Sequence, residues 1–306
     1  MDSLRLCVIF NPTAGRHRAR RQLEVLQATW GSRAEFRGTL RVGHARELGQ
    51  QAAQEGFDIV VAAGGDGTAH EVANGVLQAH RPEVCFAVFP LGSANDYVYS
   101  LGREFGAGDQ QDHPANRVRQ VDIGQIRDDQ GRSRYFLCCM GLGFTGAISI
   151  EARRIPRLRG LLLYGLATLR SLYRLRETPQ MTIAFDQEPA TVQPTLMLST
   201  LIGHREGSFL MAPDARLADG WFDCVRTGPM SRWQVLRYLP GLAFRGPPTG
   251  HPQVEFRRCR QITVSSPTPL AVHTDGEIFC SPEEGVRRLE IELIPLGLRV
   301  WFPMER

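Results

Sequence analysis

The chain has 306 residues, which is long for one hydrophobic core and suits two domains of about 150 residues each. Its hydrophobic content of 42% and charged content of 22% are typical of a folded protein and exclude an intrinsically disordered one. The net charge of +4 is too small to indicate a nucleic-acid partner, and no apolar stretch reaches the ~18 residues that span a bilayer.

The cysteines indicate a reducing compartment. There are seven, an odd number, without a C-x-x-C pair, and most lie inside apolar stretches. The first apolar run is only about six residues long, which is too short for a secretory signal. We therefore predict a cytoplasmic protein with reduced cysteines.

The first hundred residues alternate strands and helices. The strands are continuous apolar runs, as in a parallel sheet covered on both faces, and ligands of such sheets lie beyond the carboxyl ends of the strands. Turns rich in glycine or asparagine stand at three of these ends: residues 11–15, 64–68 and 90–96. The predicted strands are Leu4–Phe10, Ile59–Ala63 and Cys85–Phe89, and the predicted helices are Arg18–Thr29, one through Ala45, Leu48 and Ala52, and Ala69–Ala79.

The turn Gly64-Gly65-Asp66-Gly67-Thr68 is the most informative segment. A strand, a glycine-rich turn and a helix N-terminus together form a phosphate site, and Asp66 adds a ligand for a metal ion. An ordinary turn with Asp66 or Thr68 as helix cap is the alternative. The segment Pro90-Leu91-Gly92-Ser93-Ala94-Asn95-Asp96 likewise presents polar atoms at a strand end, although an Asx turn would also explain it.

The sequence beyond about Val121 is rich in short β-type runs, which predict an antiparallel sandwich or barrel. A loop is predicted over Gly102–Arg119, and one helical stretch over Arg153–Arg176. That stretch is basic at both ends and leucine-rich within, so it either docks on anionic lipid or covers the sandwich. The predicted strands are Val121–Ile126, Tyr135–Met140, Met181–Phe185, Leu196–Ile202, Phe222–Val225, Val254–Arg257, Ile262–Ser265, Leu289–Ile294 and Leu298–Phe302.

Taken in order, the motifs resemble those of the diacylglycerol kinase-like lipid kinases, which include sphingosine kinases and bacterial relatives. The resemblance runs from residue 11 to residue 277. The matching segments are Asn11-Pro12-Thr13-Ala14-Gly15, Thr39 with His44-Ala45, Gly64 to Thr68 with Glu71 and Asn74, Pro90 to Asp96, Val121 to Gly124, Gly141 to Phe144, Asp219-Gly220 and Asp275-Gly276-Glu277.

The resemblance implies two domains. Residues 1–125 would form an α/β nucleotide domain with a parallel sheet like that of phosphofructokinases and NAD kinases. Residues 126–306 would form a β-sandwich for the lipid substrate, with the last strands returning to the first domain. ATP and the lipid would meet in the cleft between the two domains.

The resemblance also implies roles for individual residues. Phosphates would be cradled by Gly64, Gly65, Gly67 and Thr68, with Asn11, Thr39, Ser93 and Asn95 completing the nucleotide site. Asp66 would hold Mg²⁺, and Asp96 and Asp122 would extend its carboxylate network.

In the second domain, Asp275 would be the base that accepts the proton of the lipid hydroxyl, with Glu277 as its neighbour or a further Mg²⁺ contact. The local sequence at Asp275 is equally consistent with a hairpin turn. Asp219 lies where some members hold a second Mg²⁺, but Ala218 replaces the expected acid, which favours a turn residue. Thr145 replaces an aspartate that usually follows Phe144.

The leading hypothesis is an ATP- and Mg²⁺-dependent kinase that phosphorylates a lipid alcohol such as diacylglycerol, with peripheral contact to an anionic membrane through 153–176. An NAD kinase-like enzyme and a non-catalytic nucleotide- or lipid-binding module remain the alternatives. The sequence predicts neither the particular lipid nor the oligomeric state.

Overall fold

A computed structural model describes residues 4–12, 16–92, 94–106, 118–155, 158, 160–175, 177–207 and 209–301. The chain divides into two compact units, Met1–Asp122 with Leu296–Arg306, and Ile123–Pro295. Two strands, Val118–Asp128 and Arg288–Trp301, continue from one unit into the other.

The first unit is built on a parallel sheet, as predicted. Its strands pair in the order β2-β1-β3-β4, and Val300 of the last strand, β18 (Arg288–Trp301), pairs in parallel with Phe86 of β4. Every residue of β3 is buried, which explains its uninterrupted apolar sequence. The elements are β1 (Leu6–Phe10), α1 (Arg16–Trp30), β2 (Ala34–Gly38), α2 (His44–Gln54), β3 (Ile59–Gly64), α3 (Asp66–Gln78), β4 (Cys85–Pro90), α4 (Asp96–Phe105) and the start of β5 (Val118–Asp128).

Two glycines let α2 and α3 cross closely. A Cβ at Gly75 would lie 2.1 Å from the carbonyl oxygen of Arg46, and one at Gly49 would lie 2.8 Å from that of Val72. A larger residue at either position would force the helices apart. This crossing fixes α3, whose first turn carries the glycine-rich motif.

The second unit contains antiparallel sheets, as predicted. Six strands pair in the order β14-β13-β10-β7-β16-β17, and β18, β15, β8 and β9 pair in that order in another sheet. Phe136 and Phe222 stack at 5.7 Å between ring centres. The elements are β6 (Ser133–Phe136), β7 (Cys139–Gly143), α5 (Phe144–Arg153), α6 (Gly160–Arg174), β8 (Gln180–Phe185), β9 (Thr191–Pro194), β10 (Met197–Leu201), β11 (Arg205–Glu206), β12 (Phe209–Leu210), β13 (Phe222–Thr227), α7 (Arg232–Leu242), β14 (Val254–Cys259), β15 (Gln261–Ser265), β16 (Val272–Thr274) and β17 (Glu277–Cys280).

The helices are where the predictions were wrong. The single helix predicted over 153–176 differs from the structure, in which α5 ends at Arg153 and α6 covers Gly160–Arg174. The helices α4, α5 and α7 were not predicted. The predicted loop over 102–119 begins inside α4, which continues to Phe105, and the residues from 107 to 117 lie outside the described chain.

Some strand boundaries also differ. Tyr135–Met140 is two strands, β6 and β7, since residues 137 and 138 do not continue either of them. The two predicted final strands are one continuous strand, β18, that bends at Leu296, whose φ is 51°. All seven cysteines are buried and none forms a disulfide.

Candidate functional site

The turns of the first unit meet at one edge of its sheet. Phe10 pairs with Gly38 and with Ala63, and Gly64 pairs with Pro90, so β1 to β4 end at the same level. The backbone N–H of Asn11 donates to Ala63, that of Thr39 to Phe10, and that of Leu91 to Gly64. The structure therefore brings the predicted nucleotide residues of three turns to one edge.

The glycine-rich turn is packed too tightly for side chains. A Cβ at Gly64 would lie 2.4 Å from the Thr68 hydroxyl oxygen, and a Cβ at Gly92 would lie 2.6 Å from the Cα of Gly65. Helix α3 begins at Asp66, directly behind this turn, and Gly67 and Thr68 lie in its first turn. Backbone amides at a helix N-terminus, approached without obstruction by side chains, are the arrangement that binds phosphate.

Asp66 joins the glycine-rich turn to the turn after β4. Its Oδ2 accepts the backbone N–H of Asn95 and its Oδ1 that of Asp96, both at 2.8 Å. Asn95 has a left-handed φ of 53° and precedes α4, and Asp96 is buried in the first turn of that helix. The carboxylate thus holds two candidate loops together. Ser93, also predicted at this site, lies outside the described residues.

Asp122 has a different setting from Asp66. It is buried in β5, and its Oδ1 accepts the backbone N–H of Leu296 at 2.8 Å. Leu296 is the residue at which β18 bends with positive φ. Asp122 therefore holds the backbone of the last strand where the chain re-enters the first unit, and its membership of a carboxylate network stays a prediction.

Glu71 holds the segment that contains the motif residues His44 and Ala45. Its carboxylate accepts the backbone N–H groups of Gly43, at 2.9 Å, and Ala45, at 3.2 Å, at the start of α2. His44 accepts the backbone N–H of Leu40 through Nδ1 at 3.1 Å. These bonds shape the segment that follows Thr39, so the motif residues here act on the loop conformation.

Asp275 lies in a tight hairpin turn between β16 and β17. Asp275 and Gly276 have φ values of 50° and 82°, as the two-residue turn requires. The Asp275 carboxylate accepts three backbone N–H groups, from Leu137 at 2.9 Å, Cys138 at 2.8 Å and Cys139 at 3.0 Å. Asp275 is thus a turn residue whose side chain is firmly held, while its role as base stays a prediction. Glu277 forms an ion pair with Arg153.

An apolar pocket lies inside the second unit. Its volume is about 110 Å³, and Gly276, in the Asp275 turn, forms part of its wall. Apolar side chains of several strands and of α7 make most of the lining, including Met211, Val225 and Leu242. The polar side chains of Thr145, Glu206 and His273 also line it. Of these three residues, only Thr145 stands in a motif that the sequence analysis identified; Glu206 and His273 belong to no motif.

Asp219 is paired with protein groups. It forms an ion pair with Arg258, and its Oδ1 accepts the backbone N–H of Trp221 at 3.2 Å. Burial raises the pKa of neighbouring Asp223, and the charges of Asp219 and Asp214 raise it further, against the influence of Arg258. An arginine on the carboxylate disfavours a cation there, and metal binding by Asp219 stays a prediction.

Within the described part of the chain, no three His, Cys, Asp or Glu side chains are grouped to hold a metal ion. Mg²⁺ in phosphotransferases is commonly held by one or two carboxylates plus the substrate's phosphates. One acid, Asp66, beside a turn suited to phosphate fits that donor set. Among the described helices, none combines the length and apolar character needed to cross a bilayer.

Comparisons with known proteins agree with this architecture. Residues 5–126 match the diacylglycerol kinase catalytic domain, and residues 139–302 match the YegS C-terminal NAD kinase beta sandwich-like domain. A diacylglycerol kinase of Staphylococcus saprophyticus is 28% identical over 276 residues, with 88% of each chain covered. One of Staphylococcus aureus is 29% identical over 280 residues, covering 88% of this chain and 85% of the relative.

Two solved structures from Bacillus anthracis named for diacylglycerol kinase share the fold. The TM-scores are 0.72 and 0.68, the identities 18% and 17%, and each comparison covers 99% of this chain and 98% of the other. The two matched domains together account for most of the sequence, in the order that the motifs predicted. The chain belongs to the diacylglycerol kinase-like family.

Proposed function

We propose that the protein is an ATP- and Mg²⁺-dependent kinase that transfers the γ-phosphoryl group to the hydroxyl of a lipid alcohol. This proposal rests on the apolar pocket of the second unit, whose wall includes Gly276, the residue that follows Asp275 in the turn between β16 and β17. A carboxylate in a turn beside an apolar pocket suits an acceptor with a hydroxyl head and a hydrocarbon tail. The relatives' names point to the same class of acceptor.

Each unit supplies a separate requirement of phosphoryl transfer. The turns at the sheet edge of the first unit offer backbone N–H groups, and Asp66 and Asp96 offer carboxylates. Bound Mg²⁺ would neutralise phosphate charge at Asp66. Asp275 would take the proton of the acceptor hydroxyl as its oxygen bonds to the γ-phosphorus and the bond to ADP breaks. Glu277 would stay paired with Arg153.

We further propose that α6 and α7 contact the membrane. Leu162, Leu169 and Tyr173 follow helical spacing along one exposed side of α6, and they are 51–82% exposed. Arg232, at the start of α7, donates to the backbone oxygens of Tyr173 and Leu175, which brings 81%-exposed Trp233 close to this side. Tyr164 of α6 and Tyr238 of α7 line the apolar pocket, so the exposed side chains stand on helices that form its wall. Exposed apolar side chains on such helices suit a bilayer surface.

Co-sedimentation with vesicles tests this surface. Tyr173→Glu and Trp233→Glu should each reduce binding to anionic vesicles several-fold, because a carboxylate replaces inserted apolar area. Val192→Glu is the matched control, since Val192 is 71% exposed on β9 and belongs to neither helix. Equal binding by all three variants would reject this surface.

Product identification tests the proposed activity. The protein is incubated with γ-labelled ATP, Mg²⁺ and a total lipid extract, and labelled products are identified by mass. We expect a phosphorylated lipid that requires both ATP and Mg²⁺. A label found on NAD, or no label on any lipid, would contradict the proposal.

A further inference from the structure

The polar end of the apolar pocket carries a cluster of three side chains from distant parts of the sequence. A Cβ at Gly141 would lie 2.3 Å from Glu206 Oε1 and 2.4 Å from both His273 Nε2 and Thr145 Oγ1. These three polar atoms therefore converge above one glycine of β7, in space that any larger residue would fill. We call Thr145, Glu206 and His273 the polar cluster.

The hydrogen bonds of His273 assign its tautomer. Its Nδ1 accepts the backbone N–H of Gly276 at 3.3 Å, so the ring proton belongs on Nε2. That nitrogen donates to Glu206 Oε1 at 2.7 Å. Histidine thus fixes one oxygen of Glu206 and also contacts the turn that contains Asp275.

The second carboxylate oxygen of Glu206, Oε2, is available to a hydrogen-bond donor on a ligand. Glu206 is 6% exposed, and its Oε2 has no hydrogen-bond partner among the described residues; the same is true of the Thr145 hydroxyl. A buried carboxylate oxygen without a donor is costly, and it is satisfied by a ligand that brings one. Both atoms belong to side chains that line the pocket.

The position of the polar cluster defines where that donor lies on the ligand. Gly276 shares the pocket wall with the cluster and adjoins Asp275 in sequence, while the remaining wall is mostly apolar. A lipid with its hydroxyl at Asp275 and its chain among the apolar residues would present its neighbouring carbon substituent to Glu206 and Thr145.

We propose that the polar cluster selects acceptor lipids that carry a second hydrogen-bond donor, a hydroxyl or an ammonium group, next to the phosphorylated hydroxyl. This proposal rests on the proposed lipid kinase function. It distinguishes single-chain diols and long-chain amino alcohols from 1,2-diacylglycerol, whose neighbouring position is an ester without a donor. An ester oxygen facing Glu206 Oε2 would leave two acceptors opposed and unsatisfied.

Matched acceptors test the proposal. The full-length protein is assayed with ATP and Mg²⁺ on 1-oleoylglycerol, its 2-O-methyl ether, 1,2-dioleoylglycerol and sphinganine. We expect kcat/KM to be about 10- to 100-fold higher for 1-oleoylglycerol than for its methyl ether, which lacks only the donor. A stronger preference for sphinganine would identify ammonium, and one for 1-oleoylglycerol would identify hydroxyl, as the donor recognised.

Substitutions then assign the preference to the cluster. Glu206→Gln should lower kcat/KM for the donor-bearing lipids about 10-fold or more and raise it for the methyl ether and dioleoylglycerol. His273 holds the amide oxygen, so the amide nitrogen faces the ligand and donates to an ether or ester oxygen. Thr145→Val, which retains the His273–Glu206 bond, should also lower kcat/KM for the donor-bearing lipids, with a smaller effect. Glu188→Gln is the matched control, because Glu188 is exposed and pairs with Arg257. Thermal unfolding checks that each variant is folded.

The outcomes separate this proposal from the kinase assignment. Equal kcat/KM for 1-oleoylglycerol and its methyl ether, or a uniform loss on all acceptors in Glu206→Gln, would overturn the role of the cluster while leaving the kinase intact. Phosphorylation of none of the four lipids would reject the kinase itself. In that case, calorimetric binding of 1-oleoylglycerol against its methyl ether still tests the cluster, and equal affinities would reject it.

Discussion

The Asp66 turn of the first unit and the Asp275 turn of the second use an acidic side chain in similar ways. Asp66 accepts two backbone N–H groups from the next turn of its unit, and Asp275 accepts three from residues more than a hundred positions earlier. They differ in surroundings, since one adjoins a helix N-terminus and glycine backbone, and the other adjoins an apolar pocket.

Each carboxylate therefore has a structural task in addition to any chemical one. Removing either leaves backbone donors without partners, at a cost of about 1–3 kcal/mol for each buried donor left unpaired. Loss of activity in a variant is therefore informative only when stability is measured beside it. Each unit contains another aspartate that accepts backbone N–H groups, and its alanine variant serves as the stability control.

The largest effect is expected at Asp275. We expect Asp275→Ala to lower turnover by ~10²- to 10⁴-fold, because the acceptor hydroxyl loses its base. The control is Asp186→Ala, since Asp186 also has positive φ, 51°, and its Oδ1 accepts the backbone N–H groups of Arg260 and Gln261. Steady-state assays and thermal unfolding of both variants separate the catalytic role of the carboxylate from its structural role. Near-normal turnover in Asp275→Ala would remove it from the role of base.

Asp66→Ala should abolish Mg²⁺-dependent activity and also release the turn before α4. Asp58→Ala is the matched control in the same unit, because Asp58 Oδ2 accepts the backbone N–H of Arg5 at 2.7 Å and adjoins no candidate phosphate turn. A titration of activity against Mg²⁺ measures the effect. Retained activity in Asp66→Ala at ordinary Mg²⁺ concentration would mean that the metal is held elsewhere.

Buried thiols make the stability of the fold depend on pH. Burial raises the pKa of Cys7, in the first unit, and of Cys280, in the second, to about 12. Unfolded thiols ionise from about pH 8.5, so the unfolded chain binds fewer protons between about pH 9 and 12 and stability falls as pH rises. Each thiol contributes up to about 1.4 kcal/mol per pH unit.

Cys7→Ala and Cys280→Ala should therefore each flatten the decline in unfolding free energy between pH 9 and 11. Denaturant unfolding at several pH values measures it. Slopes equal to those of the unsubstituted chain would mean that the thiols ionise in the folded state.

The smallest effect is expected at Glu71. Glu71→Gln should destabilise the first unit by about 1 kcal/mol, since a neutral amide accepts from Gly43 and Ala45 more weakly than a carboxylate. Denaturant unfolding measures it, with Glu83→Gln, an exposed glutamate of the same unit, as control. A loss equal to the control's would show that Glu71 does not support the loop after Thr39.

The sequence predicted most of the first unit because its signals are local. Buried parallel strands are continuous apolar runs. In the turn of residues 64–68, Asp66 between glycines by itself predicts a phosphate site with a metal ligand. Helix α5 was missed because Gly143, with φ 74°, and the apolar Phe144 continue a β-like pattern into its start. The bend at Leu296 was read as a strand end, since Pro295 ordinarily breaks a sheet.

The polar cluster could not be predicted from sequence. Glu206 and His273 are separated by 67 positions, and neither stands in a spacing that indicates pairing. Only the pairing of β7 with both β10 and β16 brings the surrounding backbone together at Gly141. The single local signal was Thr145 in place of an expected acid, which identified an altered position without showing what compensates for it.

The most direct test is a paired measurement of Mg²⁺-ATP affinity and single-turnover phosphoryl transfer in Asp66→Ala and Asp275→Ala. We expect Asp275→Ala to bind Mg²⁺-ATP within about threefold of the unsubstituted protein and to transfer the phosphoryl group at least ~10²-fold more slowly. Asp66→Ala should lose the Mg²⁺-dependent part of ATP binding. Weakened ATP binding in Asp275→Ala, with unchanged binding in Asp66→Ala, would contradict the division of roles between the two turns.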